Sequence, residues 1–79
     1  LPDDMPEVSL PGVEGALLVP QLLKQAGLVT STSDAMRQIA GGGVRLDGER
    51  VADKGMAVPV GATVVAQVGK RKFARVTII

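Results

Sequence analysis

The sequence lacks cysteine, histidine, tyrosine and tryptophan, and these absences narrow the chemistry open to it. Without cysteine it can form neither a disulfide nor a thiolate metal site. Without histidine it lacks the commonest general base and transition-metal ligand. Only carboxylates and lysines remain for catalysis, and 79 residues make one small domain in which an enclosed active site is hard to build. We therefore expect no enzyme activity, cofactor or metal in this stretch alone.

The sequence also lacks a long apolar run. The run ALLV ends at Pro20, far short of the roughly 20 residues that span a membrane. Residues 1–8, LPDDMPEV, are acidic and interrupted by proline, unlike a signal peptide. We expect no membrane association and a cytoplasmic location. The chain begins with Leu1, and we expect it to be part of a longer protein.

Charge is distributed unevenly along the chain. Residues 1–14 contain four acids and no base, whereas the remainder contains nine bases and four acids. A small basic domain without catalytic groups is typical of proteins that bind a polyanion. Composition alone favours the simpler interpretation, which is a surface of mixed charge.

Residues 1–15 are predicted to form a linker, and residues 16–79 the folded domain. The first segment holds three of the five prolines and two glycines, and it shows no periodic apolar pattern. A first helix is then predicted from an apolar stripe at the spacing of one helical face, formed by Val19, Leu22, Leu23 and Ala26. Pro20 suits the first helical position and Gly27 the helix end.

A second helix is predicted in STSDAMRQIAGGG. Ser31 can cap its first N–H groups, with Asp34 in the capping-box position. Its apolar stripe is expected to consist of Met36, Ile39 and Ala40, supported by Ala35. The triple glycine at 41–43 should end the helix. A nucleotide-binding loop is disfavoured there, because such a loop follows a strand and opens a helix, the reverse of this order.

The remaining sequence predicts strands. Asp47-Gly48 between two alternating runs is a strong signal for a two-residue hairpin, and this turn chemistry explains Asp47 better than a metal site does. Alternation places Val64, Ala66 and Val68 on one face, and Ala74, Val76 and Ile78 on one face of the last strand. The predicted fold is α+β: two short helices in a hairpin, packed on a small, mainly antiparallel twisted sheet.

Basic residues form the candidate binding site. Lys70, Arg71 and Lys72 are consecutive in the last connection, Arg75 follows, and only Glu49 and Asp53 are plausible acidic partners. A phosphate backbone would relieve the repulsion among these cations, although charge at a hairpin tip can also serve to block edge-to-edge pairing. Further candidate RNA contacts are Lys24, Arg37 and Arg45. Phe73, the sole aromatic residue, either stacks on a base or, as is commoner for a lone aromatic, packs against the sheet.

The stretch Leu22–Val51, with two short helices and the sequence GGVRLDGERV, resembles the RNA-binding module named after ribosomal small-subunit protein S-four, the αL motif. The two ends, LPDDMPEV and VGKRKFARVTI, look like the C-terminal domain of bacterial tyrosyl-tRNA synthetases with the linker before it. Together these segments extend the resemblance over essentially the whole chain.

The resemblance implies that the helical hairpin and the basic β tip bind tyrosine tRNA near its long variable arm and anticodon stem. It also implies that ATP and tyrosine bind an upstream catalytic domain through which the parent dimerises, and that this fragment is monomeric. Met36 and Gln38 depart from the family pattern, which has an arginine and an apolar residue there. More of the affinity is therefore expected at the GKRK corner.

Two alternatives remain at this stage. The same module occurs in rRNA-modifying enzymes and ribosome-associated factors, although the acidic segment before it and the end directly after the last strand favour a C-terminal placement. A module of this size could instead dock on protein, for example on its own parent chain.

Overall fold

Seven strands and two helices make up residues 5–79, the part of the chain that the computed structural model describes. In chain order they are β1 (Glu7–Leu10), β2 (Ala16–Leu18), α1 (Val19–Gln25), α2 (Thr32–Ala40), β3 (Val44–Leu46), β4 (Glu49–Arg50), β5 (Ala57–Pro59), β6 (Thr63–Val68) and β7 (Lys72–Ile78). Five strands form a sheet in the order β1-β7-β6-β3-β4, and β2 pairs with β5. Only the β1–β7 pairing is parallel, so the predicted α+β class is confirmed.

Helix α1 forms where the apolar stripe predicts it. Pro20 lies in its first turn, where the missing N–H leaves no bond unmade. Gly27 has φ of 79° and follows the last helical turn. The Leu28 N–H donates to the Leu23 carbonyl at 3.0 Å, which with the Gly27-to-Lys24 bond makes a Schellman ending. The sharp reversal lets α2 pack back against α1.

Helix α2 begins as predicted but buries a narrower stripe. The Ser31 hydroxyl accepts a hydrogen bond from the Asp34 N–H at 3.0 Å, the bond expected of an N-cap. Ala35 and Ile39 are buried, whereas Met36 and Ala40 are exposed. The expected stripe of Met36, Ile39 and Ala40 is therefore wrong in two members. Ala35 and Ile39 are four residues apart and share one face of the helix. Met36 and Ala40 each follow one of them, and consecutive helical residues are rotated by about 100°, so both lie off the buried face.

The long strands alternate as the sequence predicts. Ala66 and Val68 of β6 are buried, and so are Ala74, Val76 and Ile78 of β7, while Val64 is partly buried. These side chains join those of α1, α2 and β3 in one aliphatic core. The other face of the sheet carries the intervening residues, which are mostly polar but include Val65 and Phe73.

The Asp47-Gly48 hairpin is confirmed. Asp47 has φ of 52° and Gly48 φ of 85°, the pair of left-handed conformations that a type I′ turn requires. The Asp47 carboxylate accepts the Val65 N–H at 2.8 Å, and the Asp47 N–H donates to the Val65 carbonyl at 2.9 Å. The turn residue is thus fixed to β6 and has a structural role.

The predicted linker differs from the structure. Residues 7–10 form β1, which pairs in parallel with β7 from Glu7 opposite Arg75 to Leu10 opposite Ile78. Leu10 is buried in the core. A strand of four residues between two prolines shows too little alternation to be recognised, and proline is tolerated because β1 lies at the sheet edge. Residues 1–4 of the predicted linker lie outside the described residues.

Candidate nucleic-acid interface

The three consecutive cations occupy the turn between β6 and β7. Lys70 and Arg71 form the turn, Lys72 is the first residue of β7, and all three side chains are exposed. Gly69 takes a positive φ of 67° at the turn. Its N–H donates to the Gly43 carbonyl at 2.8 Å. We call Lys70, Arg71 and Lys72 the basic corner.

Helix α2 ends beside the basic corner. The Gly69–Gly43 hydrogen bond joins the turn to the segment that stops α2. Gln38 of α2 lines a concave surface together with Val68, Gly69 and the three cations of the basic corner. Gln38 therefore faces the cations and can offer an amide to a ligand held there. The triple glycine ends α2 as predicted, and its last member also makes a close backbone contact with the turn.

Arg37 lies on the exposed side of α2. Arg37 is two residues from the buried Ala35 and two residues from the buried Ile39. Residues two apart in a helix point about 160° away from each other, so the Arg37 side chain points away from the core. Arg37 directly precedes Gln38, which lines the concave surface at the basic corner.

Lys24 lies in the last turn of α1, near the start of α2. It lines a shallow concave surface with Gln21, Gln25 and Thr32, the first residue of α2. Lys24 and Arg37 are exposed on the two helices, and the exposed cations of the basic corner lie beside the end of α2.

Arg45, Phe73 and Arg75 lie on the opposite face of the sheet. Arg45 stands between the buried Val44 and Leu46, and the two β7 residues alternate with buried alanine and valine. Strand register places Arg45 opposite Gln67, and Gln67 opposite Phe73. The predicted contacts are thus divided between two faces, which a single RNA backbone cannot follow without passing round the sheet.

One candidate cation, Arg75, pairs with an acid that was not predicted from the sequence. Within residues 5–79, the one salt bridge joins Arg75 to Glu7 of β1 at 3.2 Å. Both side chains are largely solvated, so the pair contributes little stability. Neither Glu49 nor Asp53 forms a salt bridge with the basic corner in this part of the chain, and Asp53 instead accepts the Gly55 N–H at 2.8 Å.

Phe73 is half-buried on this outer face and does not belong to the aliphatic core. Base stacking by Phe73 stays a prediction.

Arg50 is a basic residue that the sequence analysis did not select. It lies directly opposite Arg45 across the β3–β4 hairpin. The Arg45 guanidinium donates to the Gly48 carbonyl at 3.2 Å, while the Arg50 side chain lies against Gly42 at the end of α2. The two cations therefore point apart. Arg50 could have been placed beside Arg45 from the sequence, because a two-residue turn at Asp47-Gly48 makes Arg45 and Arg50 cross-strand partners.

Neither a metal-binding cluster nor a membrane-spanning helix is found among residues 5–79. No cluster of three acidic side chains that could hold a metal ion occurs among these residues. None of the helices described there has the length and apolar character required to cross a membrane.

Comparison with known proteins agrees with this geometry. The S4 domain family matches residues 19–64, which span both helices, the hairpin and the start of β6. Curated relatives include the tyrosine–tRNA ligase of Thiobacillus denitrificans, 84% identical over all 79 residues, and that of Nitrosomonas europaea, 53% identical over the same length. The chain covers 20% of the first and 19% of the second, so it spans about a fifth of the relatives it matches.

A solved structure shows the same fold. The solution structure of a tyrosyl-tRNA synthetase C-terminal domain aligns with a TM-score of 0.68 at 27% identity, covering 90% of this chain and 77% of that one. The resemblance noted from Leu22–Val51 and the two chain ends is confirmed by these matches. On the strength of the family match over more than half of its length, this chain belongs to the S4 domain family.

Proposed function

We propose that this chain is the tRNA-binding part of a tyrosine–tRNA ligase and that it holds tyrosine tRNA through the strip formed by Lys24, Arg37 and the basic corner. The observation that carries the proposal is the basic corner itself. Three adjacent cations lie exposed beside α2 and form no salt bridge within residues 5–79. RNA phosphates would relieve their mutual repulsion and release counterions.

The chemistry of the strip favours contact with the RNA backbone over reading of bases. Lysine ammonium groups act as point charges, and arginine adds forked contacts to phosphate oxygens. Gln38 is the amide placed among the cations of the corner. Recognition would thus depend on the shape of the tRNA, including its long variable arm and anticodon stem, with weak sequence preference.

Binding of this kind contributes to aminoacylation by positioning. A domain that anchors the body of the tRNA raises the effective concentration of its acceptor end at a separate active site. ATP and tyrosine would bind the catalytic part of the longer protein, which would be cytoplasmic and dimerise through that part. The tyrosine–tRNA ligase relatives favour this assignment over an rRNA-modifying enzyme or a protein-docking module.

The decisive experiment compares cations on the two faces. Arg71→Ala/Lys72→Ala removes two charges from the basic corner, and Arg45→Ala/Arg75→Ala removes two from the opposite sheet face as the matched control. Each variant is titrated with tyrosine tRNA at several salt concentrations. The corner variant should bind more weakly, and its salt slope should flatten by about one to two units. The control should stay close to the unmodified chain.

Thermal melts separate binding from folding, because the altered positions are exposed and should leave stability within about 0.5 kcal/mol. A corner variant with an unchanged salt slope and a lower melting temperature would contradict the proposal. A second titration uses tyrosine tRNA with a shortened variable arm, which should bind less tightly. Exchanging base pairs in the stem without changing its geometry should have little effect.

A further inference from the structure

Large apolar side chains are exposed at the end of the β6–β7 ladder opposite the basic corner. Val13 is 65% exposed, Val60 48% and Ile79 63%. They belong to three different segments that meet through the backbone: Gly12 N–H donates to the Ile79 carbonyl at 3.0 Å, and Val60 N–H donates to the Gly15 carbonyl at 2.9 Å. The three segments therefore lie side by side and expose their apolar side chains at the same end of the ladder.

Strand β2 continues this surface. Val13 forms an isolated bridge with Ala16, the first residue of β2. Leu18 projects on the same side as Ala16 and is 44% exposed, while its strand partner in β5 is Ala57. We call Val13, Leu18, Val60 and Ile79 the apolar end.

The sequence around the apolar end is almost free of charge. Residues 15–23 and 55–68 contain no charged side chain, and Glu14 is the one charged residue between positions 8 and 23. Isolated exposed apolar residues are ordinary, but a contiguous uncharged group of them marks a contact surface. Such a surface has nothing to offer a phosphate backbone. Its chemistry fits an apolar protein partner.

We infer that the apolar end docks on another part of the same polypeptide in the longer protein, an inference that rests on the proposed function. The relatives are about five times the length of this chain, so a covalently tethered partner is available. Tethering supplies an effective concentration in the millimolar range, at which a small patch is sufficient. A stable dimer of separate copies needs about 20–30 residues a side, many more than the apolar end provides.

Docking at this end would orient the RNA-binding strip. Six residue pairs connect β6 to β7 between the two ends, a distance of about 20 Å along the strands. A domain held by its apolar end therefore presents the basic corner away from the partner and towards RNA. The fixed orientation lowers the entropy lost when tRNA is bound.

The test uses the full-length protein. Val13→Glu/Ile79→Glu adds two charges to the apolar end at its most exposed positions, and Met36→Glu is the matched control, since Met36 is an apolar residue of α2 with 44% exposure. Amide exchange measured by mass spectrometry should become at least about tenfold faster in residues 12–18 and 55–61 of the double variant, a change of about 1.4 kcal/mol. X-ray scattering should show a larger maximum dimension. The control should match the unmodified protein in both measurements.

Unchanged exchange and scattering in the double variant would overturn the inference, and so would a halved molecular mass in light scattering, which would identify a second copy as the occupant. Exchange at Leu22 and Ile39 reports on the fold. If it accelerates, Ile79→Glu alone replaces the double variant, because the Ile79 backbone bond to Leu10 does not involve its side chain. A parallel tRNA titration of the corner variant keeps the two hypotheses apart: tRNA binding that depends on the corner, with no docking effect, leaves the proposed function standing alone.

Discussion

The basic corner and the apolar end close opposite ends of the same strand ladder, yet they differ completely in chemistry. At one end Gly69 leads into three exposed cations, and at the other Val60 and Gly61 lead into β6 without any charge. Both ends are fixed by backbone hydrogen bonds, Gly69 to Gly43 and Gly61 to Ile78. The backbone therefore sets only the positions of the two ends. Side-chain chemistry gives one end an RNA partner and the other a protein partner in our proposals.

The largest effect is expected from removing β1, the edge strand that pairs with the second half of β7 and leads to the apolar end. Deleting residues 1–11 takes away the buried Leu10 and leaves the β7 edge unpaired. Loss of a buried leucine alone costs about 2–5 kcal/mol, a large part of the stability of a domain this small. The shortened chain should be mostly unfolded by circular dichroism at 37 °C. A melting temperature within a few degrees of the intact chain would instead show that residues 1–11 are a dispensable linker.

Gly12→Ala should disturb the apolar end specifically. A Cβ at this position would lie 2.6 Å from the Val60 Cγ2 and 3.2 Å from the Ile78 Cγ2, so neighbouring side chains must move. We expect a loss of about 1–3 kcal/mol in the free energy of unfolding. Gly41→Ala is the control, because Gly41 has a helical φ of −79° and ordinary space around a Cβ. Equal denaturation midpoints for the two variants would show that the packing of Val60 on Gly12 is loose.

A smaller effect is expected from Arg37→Ala, which tests how far the RNA surface extends from the basic corner onto α2. Arg37 is exposed, so stability should be unchanged. Losing one phosphate contact should flatten the salt slope of tRNA binding by at most about 0.7–0.9 units. That is less than the effect of the Arg71 and Lys72 pair. A titration in which Arg37→Ala has the larger effect would move the centre of the interface to the helix.

The smallest effect is expected from Glu7→Gln, which removes the salt bridge to Arg75 on the outer face. Both side chains are solvated, so the unfolding free energy should change by no more than about 1 kcal/mol, and less at high salt. tRNA affinity should stay the same, because the pair lies on the face away from the strip. Glu49→Gln, at another exposed glutamate, controls for loss of one negative charge. A selective rise in tRNA affinity for Glu7→Gln would place Arg75 in the interface.

Features that depend on neighbours in the chain could be predicted from the amino-acid sequence. Ser31 caps α2, Gly27 ends α1 and Asp47-Gly48 turns the hairpin, because each acts through its own backbone conformation or through bonds to residues three to five positions away. The alternation in β7 likewise separated the buried Ala74 and Val76 from Arg75. The cations of the basic corner were found this way, since consecutive charges at a turn must point outwards.

Which of these residues lie next to one another could not be predicted without the three-dimensional fold. The pairing of Glu7 with Arg75 joins residues 68 positions apart, and no local pattern in four residues between prolines announces it. The Gly69–Gly43 bond places the basic corner beside Gln38 and α2, whereas Arg45 and Phe73 fall on the other face of the sheet. Local conformation is set by torsional preference and short-range hydrogen bonds. The choice of long-range partners depends on how all the strands and helices bury their apolar surface together.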